Sequence, residues 1–188
     1  MATGMYTNAG NKKLGKNKIG VVNRENRVTC PGLSDFCEFC YVDDYTKIYK
    51  NVLPAYRREL VLPDKIIRPA VRIHASGDFD TVEYIEQIHD WVREHPDTLF
   101  WAYTRSWRVA GLLPALESLR SEPNVQLFAS TDKTIAEPPP DGWRVAFIIG
   151  DDRYDGPACM EQTGAKSDCA ACGFCFKGQS KNIGFALH

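Results

Sequence analysis

The chain has 188 residues, 44% hydrophobic and 25% charged, with a net charge of −1. That gives room for one domain of ordinary globular composition; it excludes wholesale disorder and is short for a complete eight-fold α/β barrel, which takes ~250 residues. No apolar run approaches the ~18 residues that span a bilayer, and Met1 to Gly20 lacks the apolar core of a signal peptide, so a cytoplasmic location away from membranes is expected.

Residues 1–27 read as a basic N-terminal arm, densest at Lys12, Lys13, Lys16, Lys18, Arg24 and Arg27. Residues 1–72 carry thirteen Lys/Arg against seven Asp/Glu, and residues 73–188 carry ten against seventeen. Such an arm is either a solvated, mobile extension or a surface for nucleic acid or another anionic partner. A cysteine loop follows, Cys30-x6-Cys37-x2-Cys40. Three thiolates leave one iron of a four-iron cube open, and an open position is where a metal site does chemistry. Two structural arrangements use the same residues: an Asp or His closes the site, or one later cysteine joins it in a single cluster. Tyr41–Glu59 is expected to hold a helix that ends before Pro63.

Residues 28–152 are expected to form an incomplete (β/α) barrel or an open parallel sheet of the α/β class. Four short apolar runs read as strands buried on both faces: Ala70–Ala75, Leu99–Tyr103, Val125–Ala129 and Val145–Ile149. Between the first two, Val82, Ile85, Ile88 and Val92 form one helical stripe, with Asp80 as the expected cap and His95-Pro96 as the stop. Between the next two, Val109, Leu112, Leu113, Leu116 and Leu119 form another, with a kink or restart expected at Pro114. Pro138-Pro139-Pro140 leaves no helix before the fourth strand. The strand ends carry Ser76-Gly77-Asp78, Thr104-Arg105-Ser106, Ser130-Thr131-Asp132 and Gly150-Asp151-Asp152. In a parallel sheet these emerge at one edge, where α/β proteins place ligands, although Ser, Thr and Asp also serve as helix caps there. His74 reads either as a donor behind a bound cofactor or as a hydrogen-bonded core histidine.

Residues 153–188 form a four-cysteine segment, Cys159-x9-Cys169-x2-Cys172-x2-Cys175, followed by Ile183–Leu187 as an edge strand returning to the sheet. Four thiolates close a [4Fe-4S] cube or a tetrahedral zinc site. The consecutive two-residue gaps are nearer to ferredoxin ligation, and zinc at this four-Cys site is the alternative. Seven cysteines thus divide into three and four with none left over, which in a reducing compartment points to metal rather than disulfides.

The segment Cys30-x6-Cys37-x-Phe39-Cys40-Tyr41 resembles the cluster motif of certain phage-encoded radical S-adenosylmethionine (SAM) proteins, whose first gap is six residues in place of three. The phrases from Arg72 to Phe79 and from Phe100 to Trp107 are similar to those of a family of small phage proteins. The resemblance implies a partial barrel, a three-Cys [4Fe-4S] cluster whose open iron binds SAM, and reductive release of a 5′-deoxyadenosyl radical. It implies that Cys30, Cys37 and Cys40 ligate the cluster, that Phe39 packs near the adenine, and that Ser76-Gly77-Asp78 meets the SAM amine. Arg105 and Ser130, at the ends of later strands, complete the expected cofactor face. Cys159, Cys169, Cys172 and Cys175 would hold an auxiliary cluster. The chain departs from the pattern in its length, in Asp78 replacing a glutamate, and in lacking a Gly-rich ribose motif. The expected function is a small radical SAM-like iron–sulfur enzyme with a reductant protein as partner, an unassigned substrate, and the host cytoplasm as location. The alternatives are an electron-transfer or redox-sensing iron–sulfur protein, and a metal-stabilised module binding nucleic acid or another partner.

Overall fold

A computed structural model describes residues 1–178 and 180–187. The fold is a seven-stranded sheet with strands in chain order. The strands are β1 (Met5–Thr7), β2 (Gly20–Asn23), β3 (Ala70–Ile73), β4 (Leu99–Thr104), β5 (Val125–Ser130), β6 (Arg144–Ile148) and β7 (Ile183–Phe185). β1 runs antiparallel to β2, and every later neighbour is parallel. β1 and β7 are the two edges of the order, so the architecture among the described residues is a mixed, mostly parallel open sheet.

The helices are α1 (Tyr41–Ile48), α2 (Val52–Tyr56), α3 (Val82–Arg93), α4 (Leu113–Arg120) and the single turn α5 (Cys169–Cys172). One face of the sheet is covered by α3 and α4. Val71, Ile73, Phe100, Ala102, Val125 and Leu127 pack there against Ile85, Ile88, Val92, Leu116 and Leu119 in one core. Alternation along each strand sends Val21, Ala70, Trp101 and Phe128 to the opposite face. There they meet Leu14, Ile19, Phe176, Cys159 and Ile183. The four-cysteine segment therefore covers the face that the helices leave bare.

Three expectations change in detail. The cap of α3 is Thr81, whose hydroxyl accepts from the Tyr84 amide; Asp80 instead pairs with the buried Arg24. The 41–59 stretch divides into α1 and α2. The restart expected at Pro114 is met: the proline falls in the first turn of α4, where its missing N–H costs nothing, after a 3-10 turn at Ser106–Arg108. The stretch expected as a basic arm supplies β1 and β2, and the loop between them inserts Leu14 and Ile19, both fully buried, into the second core. Lys13 pairs with Glu161, and Lys18 with Asp168, at 3.4 and 3.0 Å. That loop is a clasp on the four-cysteine segment. His188 lies outside the described residues. Among the described residues no helix is long and apolar enough to cross a membrane.

Candidate metal centre

The C-terminal ends of the parallel strands lie side by side, and their polar residues bond to one another. The Asp78 carboxylate accepts from the amides of Phe79 and Arg105, both at 2.8 Å. The Arg105 guanidinium donates to Asp132 at 3.0 Å. Arg153 donates to the Asp132 carbonyl at 2.7 Å and pairs with Asp151. Burial acts to raise the Asp132 carboxyl, but hydrogen bonds from Thr134 and Ser34, together with the charge of Arg105, outweigh it and hold the group below the usual carboxylate range. Burial dominates at Asp78 and raises its carboxyl.

The three-cysteine loop rides over this edge. Gly32 lies so close to the Arg105 carbonyl that a Cβ would come within 2.1 Å of it, which only glycine avoids. Arg108 donates to the Gly32 and Leu33 carbonyls at 3.2 and 2.8 Å. Ser34 donates its hydroxyl to Asp132 at 2.7 Å and its amide to the Cys37 sulfur at 3.5 Å. Asn26 Nδ2 reaches the Cys40 sulfur at 3.7 Å. A 3-10 turn, Asp35–Phe39, carries Cys37 between the other two cysteines. Gly77 has φ +78°, and a side chain there would strike Arg24 and Thr29 at 2.7 Å, so it lets the segment leading to Cys30 settle on the end of β3.

The four-cysteine segment approaches from the bare face of the sheet. The Cys159 amide donates to the Gly184 carbonyl of β7 at 2.8 Å. Asp168 caps α5 through the Ala171 amide at 2.7 Å, and Gly173, at φ +70°, ends it. This tight turn brings Cys169, Cys172 and Cys175 to the wall of one cavity. The Cys169 amide is tied to the Lys13 carbonyl at 2.8 Å. The Tyr103 hydroxyl donates to the Cys175 sulfur at 2.8 Å, and the Phe176 ring packs on Trp101 with centroids 4.8 Å apart.

All seven cysteines line one cavity of about 580 Å3. Burial pushes the Cys30 thiol up to about 12, with the charge of Asp78 adding to the effect. It likewise pushes Cys169 up to about 12, eased by Arg72, and Cys175 up to about 11, eased by the bond from Tyr103. These thiols keep their protons at neutral pH unless a cation in the cavity displaces them. Among the described residues no three His, Cys, Asp or Glu side chains converge on a point that would hold a single ion. A lone tetrahedral zinc requires four ligands each ~2.0–2.3 Å from its centre. The donor set is all thiol and lies round one cavity, with N–H and O–H donors on three of its sulfurs, a chemistry that iron–sulfur clusters and tetrathiolate zinc share.

Comparison with known proteins places the chain. The family model described as Gene product 88 matches residues 61–178. The chain belongs to the gene product 88 family. The Gene 88 protein of Mycobacterium phage L5 is 27% identical over a 231-residue alignment that covers 96% of this chain and 91% of that protein. No solved structure matches. The likeness expected to small phage-encoded proteins is met at this level. The gene product 88 match spans β3 to β6 and the four later cysteines; Cys30, Cys37 and Cys40 precede it.

In this gene product 88 protein every residue expected to hold a cofactor lines the cavity: Phe39, Ser76, Gly77, Asp78, Arg105 and Ser130. Their roles differ from one another. Phe39 stands at the mouth, 82% exposed. Ser76 bonds the Arg24 carbonyl at 2.8 Å and takes the Asn23 side chain on its amide, joining β2 to β3. Asp78 binds the two loop amides described above. Ser130 gives its carbonyl to Trp107. His74 has φ +62°, which breaks the alternation and turns it to Tyr84 Oη at 2.8 Å and to the Phe79 ring. Burial holds its imidazole neutral, well below the ordinary value. It is hydrogen-bonded core. Among the residues of the site not singled out from the sequence are Arg72, Tyr103, Ser34 and Asn26. The signal for Arg72 is a charge inside an apolar strand at the alternate position from Val71 and Ile73.

Proposed function

We propose that the chain is an iron–sulfur protein and a small radical SAM-like enzyme. Cys30, Cys37 and Cys40 hold a [4Fe-4S] cluster with one iron left for SAM, and Cys159, Cys169, Cys172 and Cys175 hold a second cluster. The observation that carries this reading is the convergence of all seven cysteines on one cavity at the ligand edge of a parallel sheet. Loaded in this way, the site supplies one-electron reductive cleavage of SAM. The chain's own residues orient and shield it. Ser34 and Asn26 direct N–H groups at Cys37 and Cys40. Arg108, Asp132 and Gly32 fix the loop against the strand ends. Trp101, Phe174 and Phe176 line the inner wall and exclude water.

A second reading, an electron-transfer or redox-sensing iron–sulfur protein, draws on Asp78, whose two oxygens each already accept a backbone amide. Anaerobic reconstitution with iron and sulfide, followed by dithionite and SAM, separates the two. The enzyme reading expects more iron per chain than one cube holds, and 5′-deoxyadenosine that disappears in Cys37→Ala. Intact clusters that reduce reversibly without that product favour the second reading. A colourless protein retaining only zinc overturns both.

A further inference from the structure

Two cations on the bare face of the sheet have no carboxylate. None of the ion pairs among the described residues includes Arg72 on β3 or Arg144 on β6. Arg144 is buried, and its partners are neutral: the Lys181 carbonyl at 2.9 Å, Gln126 Oε1 at 3.0 Å and the Phe174 carbonyl at 3.4 Å. Its guanidinium lies 4.1 Å from the Phe128 ring centroid and 5.3 Å from that of Phe174. Arg72 is half-buried; it donates to the His74 carbonyl at 3.1 Å and lies 5.2 Å from the Tyr103 ring centroid. Burying cations without a counter-charge is strongly unfavourable, and buried charges in folded proteins are normally paired or bound to metal centres.

What these cations surround is the four-cysteine segment. Register places Tyr103 opposite Phe128, and Phe128 opposite Arg144, in one row across β4, β5 and β6. Arg72, paired with Trp101, stands beside that row. From the row the Tyr103 hydroxyl bonds the Cys175 sulfur at 2.8 Å, and Arg144 bonds the carbonyl of Phe174, the residue before Cys175. Four neutral thiols would leave both guanidinium groups uncompensated. Four thiolates round a divalent ion, or round an oxidised four-iron cube, form a net dianion.

The geometry points to Arg72, Tyr103 and Arg144 as the charge-compensating wall of a net-anionic tetrathiolate centre at Cys159, Cys169, Cys172 and Cys175. This rests on the proposed ligation by those four cysteines and goes beyond it by assigning the centre's charge and the residues that answer it. The three are positioning residues. The arginines stabilise thiolate over thiol, and the tyrosine hydroxyl stabilises the more electron-rich form of the centre.

The test uses the full chain, reconstituted anaerobically with iron and sulfide and, in a parallel arm, with zinc alone. Cys172→Ser identifies the metal that belongs to the four-cysteine segment. The readouts are the rate of metal loss to a chelator and the thermal midpoint with and without metal. Arg72→Gln and Arg144→Gln are expected to shed that metal about tenfold faster, the equivalent of about 1.4 kcal/mol, with Arg72→Lys partly restoring retention. Metal-free Arg72→Gln is expected to melt no lower than the metal-free parent, because removing an unanswered cation relieves that state, whereas the loaded variant melts lower. In the iron arm, Tyr103→Phe is expected to lower the reduction potential by up to a tenfold change in the one-electron equilibrium, about 59 mV. Equal metal retention in parent and variants, or a parallel loss of stability in both states, overturns the proposal and leaves the ligation intact. Cys172→Ser retaining all the parent's metal overturns the ligation itself. If Arg144→Gln does not fold, the half-buried Arg72 carries the test.

Discussion

The two cysteine regions face the same cavity but are built by opposite means. The early one, residues 30–40, is a loop pinned from outside by Arg108, by Ser34 on Asp132 and by the tight passage of Gly32 over Arg105. None of the five residues of its 3-10 turn is buried, Phe39 among them, and Val28 and Tyr41 beside it stay exposed. The late one, residues 159–176, belongs to the sheet: Cys159 and Phe176 are buried, and Phe176 stacks on Trp101. Early cysteines held at an open rim suit a site that must admit another molecule. Late cysteines of which Cys159 is buried and Cys169 and Cys175 pack against a core suit a site that holds shape.

The largest break in that contrast should come from Phe176→Ala. Truncating a buried phenylalanine costs about 3–5 kcal/mol, and urea unfolding should show a loss of that size; a loss under about 1 kcal/mol would detach the late segment from the core. Next is the rim. Asp132→Asn removes the charge that gathers Ser34, Arg105 and Thr134, and bonds to a charged group are each worth about 1.5–3 kcal/mol. Because the folded carboxyl is held low, the parent keeps this contribution above the ordinary carboxylate value and loses it as pH falls through the lowered one. Urea midpoints measured on either side of that range should show the acid-side drop become shallower in the variant.

Beneath the rim, neutral His74 sets a different pH window. The unfolded imidazole takes up a proton below about 6.5 while the buried one does not. Stability should therefore fall with acidification from about pH 6.5, with a slope approaching about 1.4 kcal/mol per pH unit. His74→Asn, which tolerates the left-handed backbone, should flatten that slope in urea titrations; an unchanged slope would assign it elsewhere. The smallest effect belongs to Phe39→Ala, expected within about 0.5 kcal/mol of the parent since the ring is 82% exposed. If that variant loses SAM affinity while keeping its stability, the ring's place at the mouth is functional.

The sheet was legible where burial on both faces writes a mostly apolar run. Ala70–Ile73, Leu99–Thr104, Val125–Ser130 and Arg144–Ile148 fall within one or two residues of expectation. β1 and β2 were not legible. They are short and sit in lysine-rich sequence, and the apolar stretch of β2 is only Val21 and Val22, whose burial is completed by Leu14 and Ile19 in the intervening loop. Of the site, the cysteines and the strand-end polar clusters were visible as residue types at fixed spacing. That both cysteine groups meet in one cavity was not, because the meeting depends on register across β3 to β6. The orientation of His74 was hidden by a single positive φ, which no periodicity argument detects.

The bond between Lys18 and Asp168 joins residues 150 positions apart. A ribosome releases the β1–β2 loop among the first residues and its partner segment only after six strands have emerged. From their own emergence until that segment follows, Trp101, Tyr103 and Phe128 lack the Cys159, Phe176 and Ile183 side chains that cover them in the folded chain, and the nascent sheet carries a sticky flank. Closure of that flank is therefore a late event, set by when the four-cysteine segment leaves the ribosome.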